Sequence, residues 1–189
     1  MLGAIIGDIV GSAYEFNSTN DYNFEMFKDG SSFTDDTICT IAIADALLKG
    51  RDYGESLHDW CRRYMKPKGG FGGRFRKWVE SDHPQPYGSY GNGSAMRVSP
   101  IGMWFSDWKE AAEEAKKSAE CTHNHKWGIR GAVATVEAIH TAYHDEELRD
   151  CDAEKRRNTQ RGRRGGHLGT VQYDGGSVYR RSGRLRGAV

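Results

Sequence analysis

Phe33-Thr34-Asp35-Asp36-Thr37 puts a hydroxyl and two adjacent carboxylates where an apolar, helix-length segment, Ile38 to Leu48, begins. Two readings compete there. Thr34 can cap the helix by accepting from a free backbone N–H, with Asp35 and Asp36 favouring the positive end of the helix dipole. The same oxygens suit a hard dication, Mg²⁺ or Mn²⁺, and not a softer ion. A second stretch, Tyr90-Gly91-Asn92-Gly93-Ser94-Ala95-Met96-Arg97, is a glycine-rich loop running into a helix. Exposed N–H groups at such a start can hold phosphates, although the loop matches neither G-x-G-x-x-G nor a Walker pattern, and a plain tight turn reads equally well. A third, Thr122-His123-Asn124-His125, invites a zinc reading through its His-x-His. Cys121 is too close in sequence to supply ordinary finger geometry, and the flanking helical patterns argue against a ββα-metal nuclease.

The elements that must position these groups read as helices. Leu2, Ile5, Ile6, Ile9, Val10 and Ala13 recur at helical spacing, which predicts a helix over 2–16. Gly3, Gly7 and Gly11 recur every four residues within it, predicting close packing against a helix or ligand at about 1 kcal/mol per Gly relative to Ala. Glu15 falls at or past the end of this helix, a poor place for an anion, which predicts a cationic partner. Asp8 reads as a helix-packing or supporting hydrogen-bond residue. Residues 17–33 are a polar loop. Helical patterns then cover Thr37–Lys49, Leu57 to Tyr64 and, shorter, Phe71–Glu80. Ser81–Gly93 is a loop, and Pro100 marks a kink or restart. Asp107 caps a helix running to Cys121, and Trp127–Tyr143 forms another with Ile129, Val133, Val136 and Ile139 on its buried face. No strand pattern occurs before residue 144, so the expected body is all-α.

The bulk numbers agree with a folded body and single out the tail. A hydrophobic content of 37% over 189 residues supports one sizeable core. Residues 149–189 carry eleven basic against four acidic residues, a net +7, so the overall +1 leaves −6 on the first 148. The segment Arg156 to Gly166 has neither helical nor strand periodicity, and disorder is expected over 145–189. Cys39, Cys61, Cys121 and Cys151 are scattered, the pattern of reduced thiols in a cytoplasmic protein. The N-terminal run has no basic region and is interrupted by Asp8, so neither a signal peptide nor a membrane partner is expected.

Taken together, Gly7-Asp8-Ile9-Val10-Gly11-Ser12-Ala13-Tyr14-Glu15, Phe33-Thr34-Asp35-Asp36-Thr37, Gly91-Asn92-Gly93-Ser94-Ala95-Met96-Arg97 and Thr122-His123 resemble the ADP-ribosylglycohydrolases in order and approximate spacing, over about residues 1–144. The resemblance implies an all-α domain with a binuclear Mg²⁺ centre, Mn²⁺ in some members, in a cleft. By it, Thr34, Asp35 and Asp36 match a metal-binding motif, Glu15 and Asp35 a catalytic pair, and Asn92, Gly93, Ser94 and Met96 the loop around ADP-ribose. His123 matches a residue at the distal-ribose side. The implied reaction is hydrolysis of the bond between ADP-ribose and a protein side chain or related acceptor.

The family's second acidic motif, of the Asp-x-Asp-Thr/Ser kind, does not occur after residue 144. A disrupted reading frame near 144–150, an incomplete binuclear centre with weak metal binding, impaired turnover and self-association through exposed core surface are the expectations that follow. The alternative is an ADP-ribose-binding module without catalysis. A nucleic-acid partner working through the basic tail is disfavoured, since the tail has no interleaved Phe.

Overall fold

The structure, a computed structural model, describes residues 1–144; the expectations placed on 145–189 lie outside the described residues. Among the described residues are seven α-helices and one 3-10 turn, with no strand. They are α1 (Leu2–Gly11), α2 (Asp35–Lys49), α3 (Tyr53–Arg63), α4 (Gly73–Glu80), α5 (Ser99–Trp104), α6 (Trp108–Glu120) and α7 (Lys126–His144), with the 3-10 turn at Asn92–Ser94. The body is all-α.

α2 is the central element because it is apolar on more than one face. Ile38, Cys39, Ala42, Ile43 and Ala46 are all buried, and they meet Leu57 and Cys61 of α3 and Val98 and Ile101 near α5. The helix stops where Gly50 takes φ +61°, with its N–H donating to Ala46 O. Ser56 Oγ donates to Ala42 O at 2.7 Å, fastening α3 along α2. Ala111, Ala115 and Ala119 repeat every four residues on α6 and are fully buried. Such a ridge of methyls lets α7 approach closely, and these two helices form the most extensive helix pair. Asp107 caps α6 by accepting from Glu110 N–H at 2.9 Å, and Pro100 sits in the first turn of α5, so it marks a restart and not a kink.

Two expectations are corrected. The first helix ends at Gly11, not at residue 16, because Ser12 Oγ donates back to Ile9 O and accepts from Ser32 N–H and Lys68 Nζ, drawing the chain into the following loop. No helix packs on the Gly3, Gly7 and Gly11 strip, since a Cβ added at any of the three would meet nothing within 4 Å; Gly7 and Gly11 instead line cavities beside α1. Only Val10 of α1 is buried. The expected buried face of α7 holds: Val136 is buried, Ile129 and Val133 pack half-buried against the core and Ile139 lies against Gly102, with Gly128 and Ala132 buried beside them. Gly128 has no room for a side chain, since a Cβ there would lie 2.6 Å from Ser89 O.

Candidate active site

The N-terminus of α2 is built by Asp8. Its carboxylate, reaching over from α1, accepts from Thr34 N–H (2.8 Å), Thr34 Oγ1 (2.5 Å), Thr37 N–H (3.2 Å) and Thr37 Oγ1 (2.5 Å). Thr34 is also the N-cap, in extended conformation with φ −113°, and its Oγ1 accepts from Asp36 N–H at 3.2 Å. Asp35 and Asp36 follow in the first turn, both half-buried. The hydroxyl thus caps the helix while standing beside two carboxylates.

This end of the molecule is crowded with negative charge. Burial pushes Asp35 up to about 6, with Asp36, Glu15 and Asp8 adding to the rise. Asp36 is raised too, by burial first and then by Asp8 and Glu15. None of the ion pairs among the described residues includes any of these four carboxylates. A carboxylate set that raises its own protonation is one whose charge a cation would relieve. The donors are hard oxygens, so their chemistry fits Mg²⁺ or Mn²⁺: two carboxylates and a hydroxyl, with water completing the shell. Among the described residues, no three His, Cys, Asp or Glu side chains converge closely enough to hold an ion on their own.

Glu15 stands four positions beyond the end of α1, in the turn that follows, so the conflict with the helix dipole does not arise. Among the described residues no cationic partner pairs with it. Lys68 Nζ donates instead to Gly30 O at 2.7 Å. What faces Glu15 is the backbone of Gly69, at φ +79°, where an added Cβ would lie 2.8 Å from Glu15 Oε2. The left-handed conformation and the close approach both require glycine.

The glycine-rich loop folds as the 3-10 turn. Ser94 Oγ is buried and donates to Gly128 O at 2.8 Å, so its hydroxyl is spent on the fold. Gly93 lies against the His123 ring, with an added Cβ only 2.9 Å from His123 Cε1. His123 is itself buried, and burial, reinforced by the Arg97 guanidinium, lowers its pKa to about 4. Arg97 Nη2 donates to Thr122 Oγ1 at 2.9 Å, and Thr122 Oγ1 lies 2.8 Å from His123 Nδ1. The hydroxyl accepts from Arg97 with one lone pair and is hydrogen-bonded to Nδ1 of the neutral ring. His125 turns away, 5.3 Å from the Tyr90 ring.

Two adjoining cavities collect the predicted site residues except Ser94, which is fully buried and lines neither. One, about 330 Å³, is lined by Asp35, Asn92, Gly93, Met96 and His123, with Arg74, Tyr87 and Arg97. The other, about 470 Å³, is lined by Asp8, Glu15, Thr34 and Asp36, and shares Asn92 and Met96 with the first. A larger cavity of about 740 Å³ runs beside α1 and Tyr22, and Asp21 is its only titratable carboxylate, so it gathers no comparable chemistry. Sequence reasoning did not single out Arg97, Arg74 or Tyr87. Arg97 lay inside a quoted motif. Arg74 sits in a segment read only for its helix, and its guanidinium stacks 5.0 Å from the Tyr87 ring in a way no spacing announces.

Comparison with known proteins bears on this arrangement. A model of the family described as ADP-ribosylglycohydrolase matches residues 1–178, past the boundary near 144 drawn from the motifs. Similar curated proteins include ADP-ribosylhydrolase ARH3 of Bos taurus and of Homo sapiens, each 31% identical over 179 residues, covering 77% of this chain and 49% of the relative. The Gallus gallus ADP-ribosylhydrolase ARH3 is 28% identical over 193 residues, covering 82% of this chain and 52% of the relative. The chain therefore spans about half the length of the curated relatives it matches. By the span of the family match and the identity to these relatives, the chain belongs to the ADP-ribosylglycohydrolase family.

Proposed function

We propose that these residues form the metal- and ADP-ribose-binding part of a hydrolase that removes ADP-ribose from a protein side chain or related acceptor by cleaving an N- or O-glycosidic bond. One observation carries the reading. Asp35 shares a cavity with Asn92, Gly93 and His123, and the adjoining cavity that shares Asn92 and Met96 holds Glu15, Thr34 and Asp36.

Thr34, Asp35 and Asp36 would hold Mg²⁺ or Mn²⁺, which when bound orients ribose hydroxyls and a water and offsets developing charge. Glu15, facing the same cavity, takes the proton of the attacking water or stabilises the cationic sugar as its C1″ bond breaks. His123, which lines the first cavity, is the hydrogen-bonding partner of the distal ribose. Asn92 and Gly93 approach the phosphates, Ser94 holds their turn in place from beneath through Gly128 O, and Met96 closes the wall shared by the two cavities. Arg97 and Arg74 add positive charge on the side where a diphosphate would lie.

A second reading, an ADP-ribose-binding module without turnover, is favoured by the two-carboxylate donor set and by the absence, among the described residues, of a converging acidic trio. Isothermal titration of ADP-ribose with and without Mg²⁺, followed by a hydrolysis assay on an ADP-ribosylated peptide, separates the two. Metal-dependent binding with measurable but impaired turnover is the expected result. Metal-independent binding without turnover supports the module, and no binding under either condition removes both. Free thiols at Cys39, Cys61 and Cys121 support a cytoplasmic setting. No helix among the described residues is long and apolar enough to cross a membrane. Self-association through exposed apolar surface is part of the proposal, since Leu2, Ile6, Trp104 and Trp127 are exposed.

A further inference from the structure

The four hydrogen bonds at Asp8 do more than join two helices. A carboxylate can only accept, so each threonine hydroxyl that meets it must be donating. Thr34 Oγ1 has a single proton, and it is committed to Asp8 Oδ1 at 2.5 Å. One of its lone pairs receives Asp36 N–H at 3.2 Å. The other remains for the cavity that Thr34 lines together with Glu15 and Asp36. A hydroxyl left to itself can rotate and present either its proton or a lone pair; this one cannot.

We propose that Asp8 is a positioning residue that fixes the Thr34 hydroxyl as an acceptor-only oxygen, so that a lone pair is presented to a divalent cation. The inference rests on the metal-binding reading of the site. The two oxygens of Asp8 do different jobs. Oδ2 receives Thr34 N–H, Thr37 N–H and the Thr37 hydroxyl, while Oδ1 receives the Thr34 hydroxyl alone. In Asp8→Asn the three donors hold the amide oxygen at the Oδ2 position, which puts the NH₂ at Oδ1. The NH₂ then donates to Thr34 Oγ1 and turns the hydroxyl proton toward the cavity. Three of the four bonds survive and the fourth is reversed in polarity.

The test is Mn²⁺ binding to the full chain, followed by the loss of the free-ion EPR signal, with folding checked by circular dichroism. Asp8→Asn is expected to weaken Mn²⁺ binding by about tenfold or more, the usual range for a residue that orients a metal ligand. A loss that came from the Asp8 charge alone would persist without the Thr34 hydroxyl, so the same substitution is repeated in a Thr34→Ala background. If Asp8 acts through the Thr34 oxygen, it has no further effect there beyond about twofold. Additive losses would overturn the proposal, as would unchanged binding in Asp8→Asn. Thr37→Val removes one donor from Oδ2 and leaves the Thr34 bond in place, so it is expected to hold Mn²⁺ affinity within about twofold. A loss there of the size expected for Asp8→Asn would mean that Asp8 acts by anchoring the whole helix end, and would overturn the proposal even if Asp8→Asn does not fold. Absence of Mn²⁺ binding in the unmutated chain would sink the metal reading itself, and this inference with it, whereas binding that Asp8→Asn leaves unchanged would sink only the inference.

Discussion

His123 couples the site to acidity. Its folded pKa, about 4, lies below the ordinary histidine value, so the folded state stays neutral at pH values where an unfolded chain is already protonated. The stabilisation from the neutral ring is therefore complete above about pH 6.5 and is lost as pH falls toward 4. With solvent screening allowed for, the loss is about 2 kcal/mol. Urea denaturation at pH 7 and pH 4.5 measures it, and His123→Gln should remove this component of the acid sensitivity; an identical pH dependence in the variant would count against the assignment. Glu15 makes a different prediction. It faces the cavity with a glycine backbone against it and no ion pair among the described residues, which leaves its carboxylate available for chemistry. Where turnover is detected, Glu15→Gln should lower kcat by about a hundredfold or more while ADP-ribose affinity changes by less than about threefold. A matched loss of affinity would make Glu15 a binding residue instead.

At the scale of elements, helix contacts without side-chain room decide the geometry. Gly93 seats the 3-10 turn on the His123 ring, which Thr122 holds from the other side. Gly93→Ala should force these apart, costing about 1–3 kcal/mol of stability by overpacking. ADP-ribose binding should weaken with it, and calorimetry on the folded variant reads both effects. Gly102 plays a purely structural counterpart where α5 crosses α7: a Cβ there would lie 2.8 Å from Ile139 Cγ2 and 3.2 Å from Val136 O. Gly102→Ala should lower stability in the same range and leave ADP-ribose affinity in the folded fraction unchanged. Glycine spacing alone did not distinguish these positions from Gly3, Gly7 and Gly11, on which no helix packs. Spacing says which glycines share a helix face, but not whether anything packs on that face.

For the whole molecule, the exposed Leu2 and Ile6 lie one turn apart on α1, with Trp104 and Trp127 exposed elsewhere. Apolar surface of this kind favours association. Sedimentation velocity should show a concentration-dependent shift that Leu2→Glu with Ile6→Glu reduces; a monomer at every concentration would remove the idea.

Much of this protein was legible in its sequence because helices are local. The apolar spacing of α2, the Asp107 cap of α6 and the Pro100 restart of α5 depend on residues within a few positions of one another, as does the capping role of Thr34. The four motifs and their order likewise determined the family. Only the tertiary structure assigned Asp8 its four donors, because those bonds join residues 26 and 29 positions apart and depend on how α1 crosses the start of α2. The same holds for the path from Arg97 through Thr122 to His123 and for Gly69 beside Glu15. No local pattern encodes a hydrogen bond made across a helix crossing, since the crossing is set by how buried surfaces fit together throughout the core.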